Sequence, residues 1–242
     1  MDTTGFLLVI ATGLCVFLIS KMLDILWAQA LPVRMLYYIL RFPGVVLHEC
    51  THMLGCLLTG AKIRNIVFFS KEGGSVTHTA PVIPFVGDVV ISTAPLFCIP
   101  LVLTLCTWLF STYLGCFFPD LPLTIDSADT LVIMGGGIFS TFSQNLLTRF
   151  NPWFLVYLYL VLSLVLSAAP STQDLRNAAT GYCILAIAGL LILWSQVPWA
   201  VGILTGCTRI IGMGFALGLG FGLTALVLSS PLLILYLHRT AP

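Results

Sequence analysis

The stretch FPGVVLHECTHMLGCLLTG, residues 42–60, is the most informative part of the sequence. Apolar residues fill most of it, yet His48, Glu49 and His52 lie in its middle. Ionisable groups at bilayer depth cost about 2.5–3.5 kcal/mol each on insertion scales, so they tend to mark functional sites. Two of the chain's four histidines and one of its two glutamates fall within these five residues. We therefore expect a functional site inside an apolar helix.

The composition of the whole chain is typical of a multi-pass membrane protein. Of its 242 residues, 59% are hydrophobic and 8% are charged. Soluble domains carry about 25% charged residues, so most of this protein's surface is not expected to face water. We predict an all-α polytopic integral membrane protein with about six transmembrane helices, in which residues 1–242 form a single domain in the lipid bilayer. The net charge of +1 gives no electrostatic basis for binding nucleic acid.

Six apolar segments are the predicted spans, and the less apolar stretch 131–150 is expected to form an interfacial or re-entrant helix. The spans are expected at 5–30, 43–59, 86–110, 152–169, 181–204 and 210–237. In the first span, Lys21 and Asp24 lie three residues apart on one helical face and are placed to pair. Pro43 suits the first turn of the second span, and Gly60 suits its C-terminus.

Residues 61–80, AKIRNIVFFSKEGGSVTHTA, break the helical pattern. β-Branched and aromatic residues surround Lys71-Glu72-Gly73-Gly74, which predicts a small β-hairpin between the second and third spans. A hairpin needs shelter from lipid, so it is expected at the membrane surface or inside the helix bundle. Its edge is suited either to hold an extended peptide by strand addition or to act as a structural lid.

His48 and His52 fit the pattern HExxH. Positions i and i+4 share one face of a helix, so both imidazoles can bind one metal ion with Glu49 beside them to handle a proton. A catalytic zinc site has three protein ligands and an open position for water. The residues alone leave four candidates for the third ligand: Glu72, His78, Asp88 and Asp174.

An HExxH motif in an apolar helix, a following hairpin with a Gly-Gly turn, further spans and a late aspartate resemble the site-2 protease family of intramembrane zinc metalloproteases (peptidase family M50). The resemblance covers roughly residues 35–180, the predicted metalloprotease core, and leaves 181–242 as C-terminal transmembrane helices. It implies one Zn²⁺ per chain bound by His48 and His52, with Glu49 as the general base. It also implies a membrane-protein substrate cleaved in or near its transmembrane segment.

The third zinc ligand of that family is an aspartate on a later transmembrane helix, often in an Asp-Gly context preceded by an Asn and a Pro. This chain has Asn151-Pro152 but no Asp-Gly dipeptide. Asp174 follows Pro152 by 22 residues. The resemblance favours this later aspartate as the third ligand, with His78 and Asp88 as alternatives. An acid that caps a helix N-terminus is the other interpretation of Asp174.

The main alternative function is a non-catalytic metal-binding membrane scaffold of the same fold, and a transporter is a third option. Glu49 discriminates between an enzyme and a scaffold, because a scaffold does not need a general base next to its metal ligands. The GxSG and GxGD motifs of serine and aspartyl intramembrane proteases are both absent. We therefore predict a zinc metalloendopeptidase.

Overall fold

The computed structural model describes residues 3–68, 74–125 and 127–240. These residues form seven α-helices and one two-stranded sheet, in the order α1 (Thr3–Ala30), α2 (Arg34–Thr59), β1 (Ile63–Val67), β2 (Ser75–His78), α3 (Val86–Leu114), α4 (Ala128–Phe142), α5 (Pro152–Leu166), α6 (Thr172–Ser195) and α7 (Pro198–Thr240). A π-helical turn, Ser143–Thr148, continues α4.

Four of the helices, α1, α3, α6 and α7, are long and apolar enough to cross a membrane. This agrees with a helical membrane protein, but six spans are not confirmed. Helices α4 and α5 have 15 residues each, fewer than the roughly 20 that a full span needs. Helix α2 is long enough, but His48, Glu49 and His52 lower its hydropathy.

The predicted β-hairpin is confirmed. Strands β1 and β2 pair antiparallel, with Val67 opposite Ser75 and Ile63 opposite His78. The predicted turn residues 71–73 lie outside the described residues, while Gly74 lies inside them. Strand β1 begins at Ile63, four residues after α2 ends at Thr59. The hairpin is therefore next in sequence to the helix that carries HExxH.

Pro43 does not begin the second helix, contrary to the prediction. Helix α2 begins nine residues earlier, at Arg34, so Pro43 lies in its interior. A proline there cannot donate to the carbonyl group of residue Ile39. The hydroxyl group of Tyr159 donates to that carbonyl oxygen instead, at 3.0 Å. The predicted end of the helix is confirmed, because Gly60 adopts the left-handed conformation with φ 72°.

The boundary between the last two helices was also predicted wrongly. Helix α6 begins at Thr172, ahead of the span expected from residue 181 but at the helix start expected around Asp174. It ends at Ser195, and α7 begins at Pro198 instead of residue 210. Gln196 has φ 53°, which stops α6. Proline is favoured at the first position of a helix, so Pro198 starts α7.

Helix α2 runs parallel to α5 and approaches it closely at Gly44. The backbone N–H of Gly44 donates to Ser163 Oγ at 3.1 Å. A Cβ at Gly44 would collide with the carbonyl oxygen of Ser163 and lie 2.6 Å from Ser167 Oγ. The contact therefore requires a residue without a side chain.

We expect Gly44→Ala to destabilise the protein because the added methyl group must push α2 away from α5. Overpacking of this kind costs about 1–3 kcal/mol, and each kcal/mol lowers the thermal midpoint by about 2–4 °C in a chain of this length. The midpoint in detergent micelles measures the effect. Gly135→Ala is the control, because no described atom outside the adjacent residues and the helix's own nearby backbone lies within 4 Å of a Cβ there. An equal midpoint for the two variants would contradict the predicted contact.

The chain between α5 and α6, residues 167–171, is not helical although much of it is buried. Ser20 of α1 satisfies two backbone groups around this junction. Its hydroxyl group donates to the carbonyl oxygen of Val165 at 2.6 Å and accepts from the N–H of Ala169 at 2.9 Å. Irregular backbone among apolar helices needs such partners, so α1 supports the segment that leads to Asp174.

Candidate metal centre

The two histidines of HExxH face each other on α2, with their Nε2 atoms 3.0 Å apart. His48 Nδ1 lies 2.5 Å from the carbonyl oxygen of Ser167, in the junction between α5 and α6. His52 Nδ1 lies 2.8 Å from the carbonyl oxygen of Ile91, in α3. A carbonyl oxygen can only accept, so each Nδ1 carries the proton and donates it. In the neutral rings, both Nε2 lone pairs are then free and lie beside each other.

This arrangement of lone pairs fits a metal ion. Two lone pairs at this separation repel each other unless a cation lies between them. Tetrahedral zinc with Zn–N bonds of about 2.0–2.1 Å places two ligand nitrogens about 3.3 Å apart, close to the observed Nε2 separation. Metal-binding histidines usually donate their second N–H to a carbonyl or carboxylate oxygen, as both rings do here.

Asp174 brings a third potential ligand atom to the site from the first turn of α6. Its Oδ2 lies 3.5 Å from His52 Nε2. His48, His52 and Asp174 each have one potential ligand atom in this cluster, and these three atoms lie within 4.8 Å of one another. Both histidines are at most 9% exposed and the Asp174 side chain is 17% exposed. The structure thus brings together the three residues expected to bind the metal.

Asp174 also caps α6, which confirms the interpretation of this residue as a helix cap. Its Oδ2 accepts from the backbone N–H of Ser171 at 2.8 Å and from Ser171 Oγ at 2.6 Å. Ser171 Oγ in turn lies 3.1 Å from the backbone nitrogen of Asp174. This reciprocal capping box fixes the carboxylate beside His52.

The alternative third ligands lie elsewhere. His78 is on β2, and its Nδ1 donates to the carbonyl oxygen of Thr79 at 2.8 Å. Asp88 accepts from the backbone N–H of Phe85 at 3.3 Å, at the start of α3. Neither residue belongs to the group around His48 and His52. Glu72 lies outside the described residues.

Glu49 lines a cavity of about 270 Å³ together with His48. The residue is 4% exposed. Gly74, at the start of the returning hairpin strand, lies directly against it: a Cβ at Gly74 would lie 2.6 Å from Glu49 Oε1. The hairpin therefore approaches the carboxylate so closely that residue 74 has no room for a side chain.

Four groups at the site escaped the sequence analysis. They are the carbonyl groups of Ser167 and Ile91, the capping hydroxyl group of Ser171, and Gly74, which lies against Glu49 because it has no side chain. The carbonyl group of Ser167 leaves no mark in the sequence, because every residue has one. That of Ile91 does have a signal, since Pro95, four residues later inside α3, has no N–H to donate to it. The helix start at Ser171 was predicted, since a serine followed three residues later by an acid is typical of one. The contact of its hydroxyl group with Asp174 was not.

Family models, curated proteins and solved structures were compared with the chain, and none of them matches it. What the protein does is therefore inferred from its own residues and their geometry.

Proposed function

We propose that this chain is an intramembrane zinc metalloprotease, which hydrolyses peptide bonds in or near the transmembrane segments of membrane-anchored substrates. The observation that carries the proposal is the convergence of His48, His52 and Asp174, with Glu49 next to the first ligand in sequence. The four apolar helices long enough to span a membrane support an intramembrane location. The resemblance of the HExxH helix and hairpin to site-2 proteases supports the reaction.

His48, His52 and Asp174 would hold one Zn²⁺ ion and leave a fourth position open. Zinc held by such a set supplies a Lewis acid for a peptide carbonyl group and lowers the pKa of a coordinated water toward 7. The chain's own contribution is to keep both rings in the ligand form. Each Nδ1–H donates to a backbone carbonyl, so each Nε2 presents its lone pair.

Glu49 is the general base of the proposed reaction. It follows His48 in sequence and lines the same cavity, so its carboxylate can accept a proton from the attacking water. The same group then passes the proton to the leaving amine nitrogen. Burial excludes bulk water from the carboxylate, so the proton is handed over within the site.

The substrate segment must unwind before cleavage, because a helix shields its own peptide bonds. The hairpin suits this task, since a strand edge can hold an extended peptide through main-chain hydrogen bonds. Gly74 immediately precedes β2 and lies beside Glu49, so a peptide added along this hairpin would run toward the base. The partner implied is a membrane protein with an unstable transmembrane helix.

Metal removal tests the proposal. We expect the detergent-purified protein to contain about one zinc ion per chain by mass spectrometry. A chelator should abolish cleavage of reporter proteins with single transmembrane helices, and added zinc should restore it. Zinc binding without cleavage of any reporter would favour the non-catalytic scaffold. Absence of zinc from the protein, even after it is added back, would refute the metal site.

A further inference from the structure

The cavity at Glu49 has a second, charged wall formed by α1 and α2. Lys21, Asp24 and Arg41 line it. The expected pairing of Lys21 with Asp24 is replaced by another ion pair, in which Arg41 Nε lies 3.2 Å from Asp24 Oδ1. The carboxylate on this wall is thus already neutralised by the arginine.

Tyr37 fixes that ion pair in place. Its hydroxyl group donates to Asp24 Oδ1 at 2.6 Å and accepts from Arg41 Nη1 at 3.1 Å. The guanidinium carbon also lies 5.6 Å from the centre of the Tyr37 ring. Arg41 Nε is buried and, despite its distance from Asp24, has no hydrogen-bond acceptor among the described residues. The guanidinium group is therefore held by Tyr37 while its Nε–H remains an unused donor.

Lys21 is the uncompensated charge of this wall. It is half-buried and lines the cavity. Within residues 3–68, 74–125 and 127–240, Lys21 has no ion-pair partner, since the pairs formed there are Arg41 with Asp24 and His52 with Asp174. A cation among apolar helices is costly unless an anion or water accompanies it. Two cations, Lys21 and Arg41, and two acids, Asp24 and Glu49, thus line the cavity. Asp24 is engaged by Arg41, and Glu49 is not within ion-pair distance of Lys21.

We propose that Lys21 and Arg41 form a subsite for a carboxylate group of the substrate peptide. This inference rests on the proposed function, because it assigns the substrate of that same cavity. Carboxylates are the anions that unmodified peptides carry, and ammonium and guanidinium groups bind them through charge-assisted hydrogen bonds. The carboxylate comes either from an Asp or Glu side chain or from a free C-terminus.

The size of the cavity limits where that carboxylate lies in the substrate. Its volume of about 270 Å³ is near the lower end of ligand pockets, which span roughly 300–1,000 Å³. Glu49 and the two cations line this one small space, so the bound carboxylate lies close in sequence to the bond that is cleaved. The protease then selects substrates with an acidic group beside the cleavage site.

Matched peptides test the subsite by binding alone. Four fluorescent apolar hexapeptides carry a C-terminal acid, a C-terminal amide, an internal Asp with a C-terminal amide, or an internal Asn with a C-terminal amide. Fluorescence anisotropy with the full-length protein in detergent micelles measures their affinities. We expect one acid to bind about tenfold more tightly than its amide partner, as loss of a charged hydrogen bond predicts. The pair that shows the preference identifies the source of the carboxylate.

Lys21→Gln should abolish that preference. Lys62→Gln, the same change at an exposed lysine outside the cavity, should leave it intact. Equal binding of both acid–amide pairs by the wild type, or no binding of any peptide, overturns the subsite, even if Lys21→Gln fails to fold. A preference that survives in folded Lys21→Gln overturns it as well.

The peptide experiment separates this inference from the proposed function, because binding does not require hydrolysis. An acid preference that depends on Lys21, in a protein that cleaves no reporter, would refute the protease and keep the subsite. Zinc-dependent cleavage without an acid preference would refute the subsite and keep the protease.

Discussion

Glu49→Gln is expected to lower the rate of peptide-bond cleavage by about 10²–10⁴-fold, the usual contribution of a general base. The amide has nearly the shape of the carboxylate but cannot accept the proton of the attacking water. Glu49 is not among the three grouped ligand residues, so the zinc content should stay at the wild-type level. Single-turnover cleavage of a transmembrane reporter, measured beside zinc content by mass spectrometry, gives both quantities.

The control for this prediction is Asp120→Asn, which makes the same acid-to-amide change at an exposed loop residue. It should cleave at the wild-type rate. If Glu49→Gln retained full activity with zinc bound, Glu49 would not be the base. If it lost zinc, the role of Glu49 would be to hold the metal or the fold.

Asp174→Asn is expected to weaken zinc binding by more than about 100-fold. Partners in the outer shell of a metal site are typically worth about 10–100-fold in affinity, so loss of a direct ligand should cost more. The asparagine side chain can still accept from the N–H of Ser171, so the cap of α6 is largely kept. Competition with a zinc chelator of known affinity measures the effect, and the thermal midpoint of the metal-free protein reports on the cap.

Asp88→Asn is the matched control, because Asp88 also accepts a backbone N–H at the start of a helix but is not part of the metal group. It should bind zinc as the wild type does. His78→Ala should do so too. Zinc affinity that is unchanged in Asp174→Asn and reduced in either control would mean that the third ligand had been assigned to the wrong residue.

Much of the fold and the two histidines could be predicted because their signals are local. The spacing of His48 and His52 places them on one helical face whatever surrounds the helix. Gly60 indicates the end of a helix, and the β-branched residues after it indicate a strand, because each residue type has its own backbone preference. For the same reason the hairpin was predicted correctly although its turn lies outside the described residues.

The errors arose where a distant residue decides the local structure. Pro43 continues a helix because Tyr159, 116 positions later in the sequence, donates to the carbonyl oxygen that the proline leaves free. Asp24 pairs with Arg41 of the next helix instead of Lys21 on its own. Asp174 could be favoured as a ligand only through the family resemblance, since nothing in its local sequence separates a ligand from a cap. It reaches His52 only because α6 packs against α3 and the junction between α5 and α6 lies beside α2.

Main-chain oxygens orient both histidines, so side-chain substitutions cannot remove these two contacts of the site. A saturation scan of residues 91 and 167 would sample every side chain and never delete the carbonyl group that each ring contacts. Substitutions of similar size at Ile91 and Ser167 should therefore pass a selection for metal binding. The sensitive positions would instead be those that steer the backbone, such as Gly44. Likewise, an amino-acid profile of the site would record its candidate ligands and its glycines. Of the two carbonyl groups, only that of Ile91 would be marked, by Pro95 four residues later in α3.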